Sequence, residues 1–517
     1  MKTAKVADVC LLLEGTYPYV PGGVSAWVDQ LLRGLPQLQF CLVYIGSKRG
    51  LTGKAFYQLP ENVVSLTEVY IYDRLERADL VPRELPRALS RRFYKVLLEF
   101  YSAETEEERV TLFWEVLNQL DSLGETYTFG NLCKDLQAWE IQVQLYNRYA
   151  PHESFIDFFW TTRFLHLPIW QLLRARDMIP QARVYHSITT GYAGFIGAIA
   201  ARRNRLPFML TEHGIYTNER LAEISRADWI YEADSYLFSY SEGLGKFKQI
   251  WVAFFFFLGR VAYHGADRIV SLFQGNAQMQ IEYGADADKL QIIPNGIDPT
   301  LYDSAAEKRL GRLAAFPKGH VVGFIGRVVT IKDVKTLIRA ARIVVERATN
   351  TFFLIVGPNQ EELGYYEDCK TMVEELGLSR NIEFLGNQVV FNILPKIDIL
   401  VLTSVSEGLP LVILEAFAAA VPVVATDVGA CRELVCGRSE SDQRIGPAGI
   451  ITRVSAPLET ADALHHLILN PDQLQKMGRA GRARVEKFYT QQKVLDRYSE
   501  IYKAFRAQVG EANERIR

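Results

Sequence analysis

Short apolar runs alternate with segments of helical period along most of this 517-residue chain. Val6 to Leu13 reads as a buried strand, a loop with Pro18, Pro21, Gly22 and Gly23 follows, and an amphipathic helix runs from Val24 to about Leu32. Phe40 to Ile45, Val184 to His186, Phe208 to Thr211 and Arg268 to Leu272 repeat the strand signal. Runs that are apolar without alternation fit strands covered on both faces, and so a parallel sheet between helices. After Asn295 the pattern restarts, with strands at Val321 to Ile325, Phe352 to Val356, Ile382 to Leu385, Ile399 to Leu402 and Val423 to Ala425. The expectation is an α/β chain of two Rossmann-like, doubly wound domains, 1–298 and 299–484, facing a cleft that holds the ligand. The polar stretch Pro299 to Lys318 is the expected linker.

Residues from about Leu85 to Met178 (85–178) interrupt the first domain with helical periodicity. Thr105-Glu-Glu-Glu108 has capping-box spacing, and Val110, Phe113, Trp114 and Leu117 recur behind it at helical intervals, so the acidic run marks a helix start rather than a binding tail. Tyr146, Phe155, Phe158, Phe159, Trp160 and Trp170 are expected in the core, with an acceptor groove as the alternative. Ile250 to Leu258 is wholly apolar. As a helix it would span only ~14 Å against a ~30 Å bilayer core, so it predicts a core helix or, alternatively, a face for a membrane or partner.

A hydrophobic share of 49% and a charged share of 23% describe an ordinary soluble globular protein. The net charge of -2 gives no reason to expect nucleic acid or an anionic membrane as partner, so any phosphate-binding charge must be local. Six cysteines make no disulfide framework. Cys10, Cys41 and Cys369 read as reduced, buried thiols, and Cys431 and Cys436 lack the second ligand pair that zinc requires, so no metal site is expected. Lys2 and Lys5 precede a run that Asp8 and Glu14 keep too short for a secretory leader, which makes the cytosol the expected compartment.

The chemistry concentrates where the strand Ile399 to Leu402 meets the predicted helix Val412 to Ala420. Gly408 and Pro410 break the strand, and the free N–H groups of the helix start point back into the gap, an arrangement that favours phosphate. Gly408, Leu409, Pro410 and Leu411 are therefore the candidate backbone of a nucleotide site. Glu407 lies in the turn, free to accept hydrogen bonds from sugar hydroxyls, and Glu415 sits about a turn further on, within reach of a ribose. A capping, solvated pair of glutamates is the plain alternative.

This Glu-x7-Glu, followed by Pro422, Asp427 and Gly429, resembles the signature of the retaining, nucleotide-sugar-dependent glycosyltransferases of family four, which have the GT-B fold. Gly326-Arg327 with Lys332 resembles that family's diphosphate-binding segment, and Pro294-Asn295-Gly296-Ile297-Asp298 its interdomain junction. Pro21-Gly22-Gly23 and Thr211-Glu212-His213-Gly214 extend the likeness into the first half. The family usually has glycine where this chain has Asp333, a candidate N-cap for the helix that follows.

The resemblance implies roles. Arg327 and Lys332 would neutralise the departing diphosphate, Glu407 would position the donor sugar and Glu415 the ribose. Gly22 and Gly23 would let backbone N–H groups approach phosphate, and His213 would face the reacting sugar as a neutral imidazole. Each has a structural alternative: Arg327 caps a helix or pairs with an acid, the glycines make a tight turn, and His213 is a core histidine. His186 and His264 read as structural. Residues 485–517 would form a final helix, with Val494, Tyr498, Ile501 and Tyr502 apolar, crossing back onto the first domain. No cofactor or metal is implied beyond the donor.

The opening Val9 to Trp27 and the long insertion further resemble the glycosyltransferases of bacterial Pel-type exopolysaccharide synthesis. That implies a UDP-sugar donor, UDP-glucose or an N-acetylhexosamine donor, a growing polysaccharide acceptor, and recruitment from the cytoplasm to inner-membrane synthase and export proteins. A GT-B epimerase, or a degenerate nucleotide-sugar-binding subunit of a polysaccharide synthase, is the alternative.

Overall fold

The computed structural model describes residues 6–227, 229–230, 244–314 and 319–516. Lys2, Lys5 and the end of the expected linker up to Lys318 lie outside the described residues. The chain forms two compact units. Unit one comprises Met1–Val270, Met279–Gln291 and Ile501–Arg517; unit two comprises Ser271–Gln278 and Ile292–Glu500.

Unit one is built on seven strands: β1 (Ala7–Glu14), β2 (Phe40–Gly46), β3 (Val63–Tyr70), β4 (Ala182–Ser187), β5 (Phe208–Glu212), β6 (Arg268–Ser271) and β7 (Leu290–Ile292), in the order β3-β2-β1-β4-β5-β6-β7. β1 runs parallel to both β2 and β4, so the strand order reverses beside β1, and ligands gather at the carboxyl ends of strands around such a reversal. Strands β1, β2 and β5 are buried almost throughout, the reason they read as unbroken apolar runs. The edge strand β3 is half-exposed and interrupted by the polar Ser65, Thr67 and Glu68, and β7 is three residues long; neither carried an apolar run to betray it.

Unit two has β8 (His320–Ile325), β9 (Thr351–Val356), β10 (Ile382–Gly386), β11 (Ile399–Leu402), β12 (Val423–Thr426) and β13 (Gly449–Thr452), all parallel, in the order β10-β9-β8-β11-β12-β13. The same reversal recurs here, between β8 and β11.

The interrupting segment is helical: Arg87–Ser102, Glu106–Leu123, Phe129–Lys134, Leu136–Tyr149 and Phe155–Ala175. The Thr105 hydroxyl accepts from the Glu108 N–H at 3.2 Å, while the Glu108 carboxylate reaches back to the Glu104 N–H at 3.0 Å. The segment shares one core with the sheet rather than standing apart. Phe113 packs on Phe195 at 5.3 Å between centroids, and Trp114 donates its indole N–H to His264 Nδ1 at 3.3 Å. Phe158 and Trp170 are buried as expected, but Trp160 is half-exposed. It lies with Ile156 and Phe164 along the outer face of its helix, where a spacing of four keeps all three off the core.

The apolar block at Ile250 to Leu258 lies inside the helix Lys246–Gly265. Trp251, Phe255 and Leu258 are buried, Phe257 packs on Phe100 and Phe113, and Phe256 on Tyr283, so the block packs largely into the core, the first of its two expected roles. No helix among the described residues is long and apolar enough to cross a membrane.

The last part of the chain is two helices, Pro471–Phe488 and Gln491–Ile516, where the sequence suggested one over 485–517. The break serves a pairing: Thr490 bridges Ile297, and its carbonyl passes so close to Gly296 that a Cβ there would lie 2.7 Å away. Glycine in the Asn295-Gly296-Ile297 motif is thus a packing requirement. Further along, the Tyr502 hydroxyl sits 2.7 Å from His186 Nδ1, and Thr211 Oγ1 lies 2.9 Å from Nε2, so His186 is a structural residue of unit one.

Tyr502→Phe keeps the ring and removes the hydroxyl from this buried contact. It should lower stability by ~1–3 kcal/mol in urea denaturation; wild-type stability would show that the bond to His186 carries no weight.

Candidate functional site

In unit two the loops leaving β8 and β11 are tied together. Thr403 Oγ1 donates to the carbonyls of Lys332 at 3.1 Å and Asp333 at 3.0 Å, and the Val405 N–H donates to Ile331. This brings Lys332 Nζ to 2.5 Å from Glu407 Oε1, and Ser404 Oγ donates to the same oxygen at 2.6 Å. The lysine and glutamate side chains are only 20% and 10% exposed, so the pair is charge-assisted and shielded from bulk water.

The turn that carries Glu407 is held from below. Gly429 has φ +53°, and a Cβ there would stand 2.3 Å from the carbonyl oxygens of Glu407 and Gly408; the neighbouring Ala430 N–H donates to Gly408 at 2.9 Å. Only glycine allows that approach. Gly408, Leu409 and Pro410 then lead into the helix Leu411–Ala418, which starts one residue earlier and ends two earlier than the sequence suggested. Glu415 lies on that helix, and Tyr302 donates to its Oε1 at 3.1 Å. Burial raises the pKa of Glu415 above the usual carboxylate range, with the Tyr302 hydrogen bond opposing. Tyr302 lies far from the motif in sequence, and nothing in its surroundings announced it.

Arg327 is placed differently. Its Nη1 meets both oxygens of Glu361, at 2.6 and 2.8 Å, in a pair whose members are each about half-exposed. An exposed pair of this kind contributes only ~0–1 kcal/mol, so a phosphate ligand can displace it. Asp333 answers the departure from glycine. It takes the left-handed conformation (φ 44°, ψ 53°), which a short polar side chain tolerates, and caps the helix Val334–Arg347 by accepting from the Thr336 N–H at 3.1 Å and hydroxyl at 2.7 Å.

In unit one the loops after β1, β4 and β5 surround a cavity of about 660 Å³ lined by Glu14, Thr16, Tyr44, His213 and Tyr216, among others. His213 presents its ring edge to Trp27 at 4.6 Å, and its buried Nε2 has no hydrogen-bond partner. A core histidine satisfied by backbone would not leave that atom orphaned. Its neighbour Glu212 is fully engaged, accepting from Thr190, Tyr263, Gln280 and the Tyr216 N–H, with burial raising its pKa. Glu14, which accepts from Tyr216 at 2.6 Å and the Ala193 N–H at 3.2 Å, is likewise shifted up by burial. Gly22 and Gly23 are exposed at the start of the helix Gly23–Gly34, and a Cβ on either would meet nothing within 4 Å. No packing contact demands glycine at either position.

The expectation that no metal takes part goes with an absence of Asp-x-Asp, the metal-nucleotide pair of the other major transferase fold, but the sequence does contain one, Asp286-Ala287-Asp288. Asp286 spends its carboxylate as a turn cap, accepting from the Asp288 N–H at 3.0 Å. Among the described residues no three His, Cys, Asp or Glu side chains cluster as a metal site.

Residues 7–288 match the family described as Domain of unknown function (DUF3492), and residues 307–484 match Glycosyl transferases group 1. The first match spans the helical insertion, which is therefore part of its family's domain. D-inositol 3-phosphate glycosyltransferase of Nocardia farcinica is 31% identical over 247 residues, 45% of this chain and 52% of the relative. Alpha-maltose-1-phosphate synthase of Mycolicibacterium smegmatis is 27% identical over 341 residues, 62% of this chain and 79% of the relative. The chain spans about half the length of the inositol-phosphate relatives it matches. Among solved structures, Anabaena HepE in complex with UDP superposes with a TM-score of 0.58 at 15% identity, covering 96% of this chain and 99% of that one. Sucrose-phosphate synthase from Thermosynechococcus elongatus gives 0.59 at 14%, over 96% of this chain and 99% of the other. The fold is GT-B, with two Rossmann-like parallel-sheet domains.

Burial, aided at His186 by the charge of His213, pulls the pKa of His186 down to about 3, and burial alone pulls His213 to about 4. An unfolded histidine titrates near ~6.5, so below that pH the unfolded chain takes up protons that the native state refuses. The stability carried by these rings is complete above pH ~6.5 and is lost as pH falls toward ~4, at about 1.4 kcal/mol per pH unit for each ring. The raised pKa values of Glu14 and Glu212 act in the opposite sense. His213→Asn should therefore flatten the loss of melting temperature between pH 7 and pH 5; an unchanged slope would show that this ring titrates normally.

Proposed function

Because the chain belongs to the family of the domain of unknown function DUF3492 and carries a glycosyl transferases group 1 domain at residues 307–484, we propose that it is a retaining glycosyltransferase using a UDP-sugar donor. The observation that carries this reading is the shielded Lys332–Glu407 pair, set with Ser404 at the entry of the helix Leu411–Ala418. Transfer leaves charge on a diphosphate, and fixed cations with a helix N-terminus are the means to hold it.

In this reading Lys332 and the backbone from Gly408 to Leu411 hold the diphosphate, and Arg327 leaves Glu361 to join them. Both contacts to Glu407 fall on Oε1, so Oε2 serves a hydroxyl of the donor sugar. Glu415, oriented by Tyr302, takes the ribose. His213, held neutral, offers its unpartnered Nε2 to a donor hydroxyl or to charge developing at the anomeric carbon, while the Gly22-Gly23 turn admits phosphate or acceptor. The bond from the anomeric carbon to the phosphate oxygen breaks as the acceptor oxygen bonds to the same face. The acceptor proton passes to the departing phosphate oxygen, and UDP leaves. No metal takes part.

The opening segment with the helical insertion supports a finer reading: addition of a hexose, from UDP-glucose or a UDP-N-acetylhexosamine, to a growing exopolysaccharide of the Pel type. Recruitment to inner-membrane synthase and export proteins would then rest on protein contacts, because a net charge of -2 gives little attraction to anionic lipid.

A panel of UDP-, GDP- and ADP-sugars scored for binding and hydrolysis tests the donor class; preference for a purine nucleotide would overturn it. Lys332→Ala and Arg327→Ala should each weaken UDP binding roughly ten- to hundredfold, and Glu415→Ala should weaken it through the ribose. Glu407→Ala should leave UDP binding largely intact and damage transfer. Wild-type UDP affinity in both cation variants would remove the assignment. Transfer should also persist in a strong chelator, since fixed cations stabilise the leaving group; loss on chelation with rescue by Mn²⁺ would reveal a metal.

A further inference from the structure

The helical insertion and the helix Lys246–Gly265 line a second, partly open cavity in unit one, of about 330 Å³, distinct from the one beside His213. Leu97, Phe100, Phe158, Leu165, Phe254 and Phe257 make its wall apolar. The space is about twice the ~150 Å³ that admits benzene to an apolar cavity, so it has room for about a dozen non-hydrogen atoms.

The polar groups on the wall differ in whether they are engaged. His166 Nδ1 lies 2.6 Å from the Thr162 carbonyl and Nε2 faces the Tyr101 hydroxyl, and burial lowers its pKa, so the ring is neutral. Arg109 pairs with Glu106 and donates to the Ala103 carbonyl at 2.9 Å. Trp170 is 7% exposed, and its indole N–H is buried without an acceptor. An unmet buried donor is costly, and a ligand that brings an acceptor relieves the cost. Arg109, the charged side chain of this wall, is already paired, so an uncharged ligand needs no rearrangement there.

We propose that this cavity binds an uncharged, predominantly apolar carbonyl compound of about a dozen non-hydrogen atoms, whose oxygen accepts the Trp170 N–H. The residues that line this cavity all belong to unit one, and its existence does not depend on the reaction assigned above.

Methyl decanoate is a suitable probe, titrated into the whole chain by calorimetry and followed by thermal denaturation. It should bind, raise the melting temperature, and bind at least tenfold more tightly than decanoate anion. Trp170→Phe, which keeps the cavity and removes the donor, should weaken binding about tenfold. Leu165→Trp and Val116→Trp each fill the space and should abolish it, with circular dichroism and UDP binding reporting that the variants remain folded. The proposal fails if the wild type does not bind the ester, if the anion binds as well, or if Trp170→Phe and a folded filled variant retain wild-type affinity.

Discussion

A parallel sheet with both faces covered leaves polar chemistry nowhere to go except the ends of its strands. Both units obey that constraint, and their sites follow from it. β1 and β5 are buried along nearly their whole length, and Glu14, Glu212 and His213 stand where they stop. β11 is wholly buried, and Thr403, Ser404 and Glu407 come directly after it. The loops there are made rigid by side chains that bond to backbone: Thr403 to two carbonyls of the β8 loop, Thr426 to the Ser404 carbonyl. A lysine and a glutamate remote in sequence can then meet at hydrogen-bond distance before any ligand arrives. That is preorganisation, and it lowers the cost of ordering the site on binding.

The same constraint explains what could be read without coordinates. Two-sided burial writes long apolar runs, so β1, β2, β5, β8 and β11 stood out, and the glutamates after β11 stood out against them. β3 and β13 did not, one because it is a half-exposed edge and the other because four residues opening on glycine carry little signal. At the site, charge type and motif spacing named Lys332 and Glu407, yet the partners that hold or occupy the groups were silent. Tyr302 reaches Glu415 and Glu361 reaches Arg327 through tertiary proximity alone. Asp333 was legible as a cap, but its left-handed backbone was not, since that conformation depends on the loop it closes.

Histidine was the hardest residue to read. His186 is buried and His213 partly buried, both lie near Trp27 and both are depressed in pKa, yet one has hydroxyl oxygens facing both ring nitrogens and the other has an orphaned nitrogen in a cavity wall. Sequence context set them apart by position alone, His213 just past a strand end and His186 within a strand. The physical distinction is satisfaction: a ring whose nitrogens are engaged has nothing left to offer a ligand.

Tyr502 carries an implication for how the chain is made. It is a core residue of unit one, yet it lies 316 positions after His186, its partner there, with the whole of unit two translated in between. Domains usually fold in turn as they leave the ribosome. Here the first unit can gather its sheet early, but it waits with an incomplete core until the second has been synthesised. Its exposed seam during that interval would be a natural target for chaperones, and completion of both units becomes a single late event.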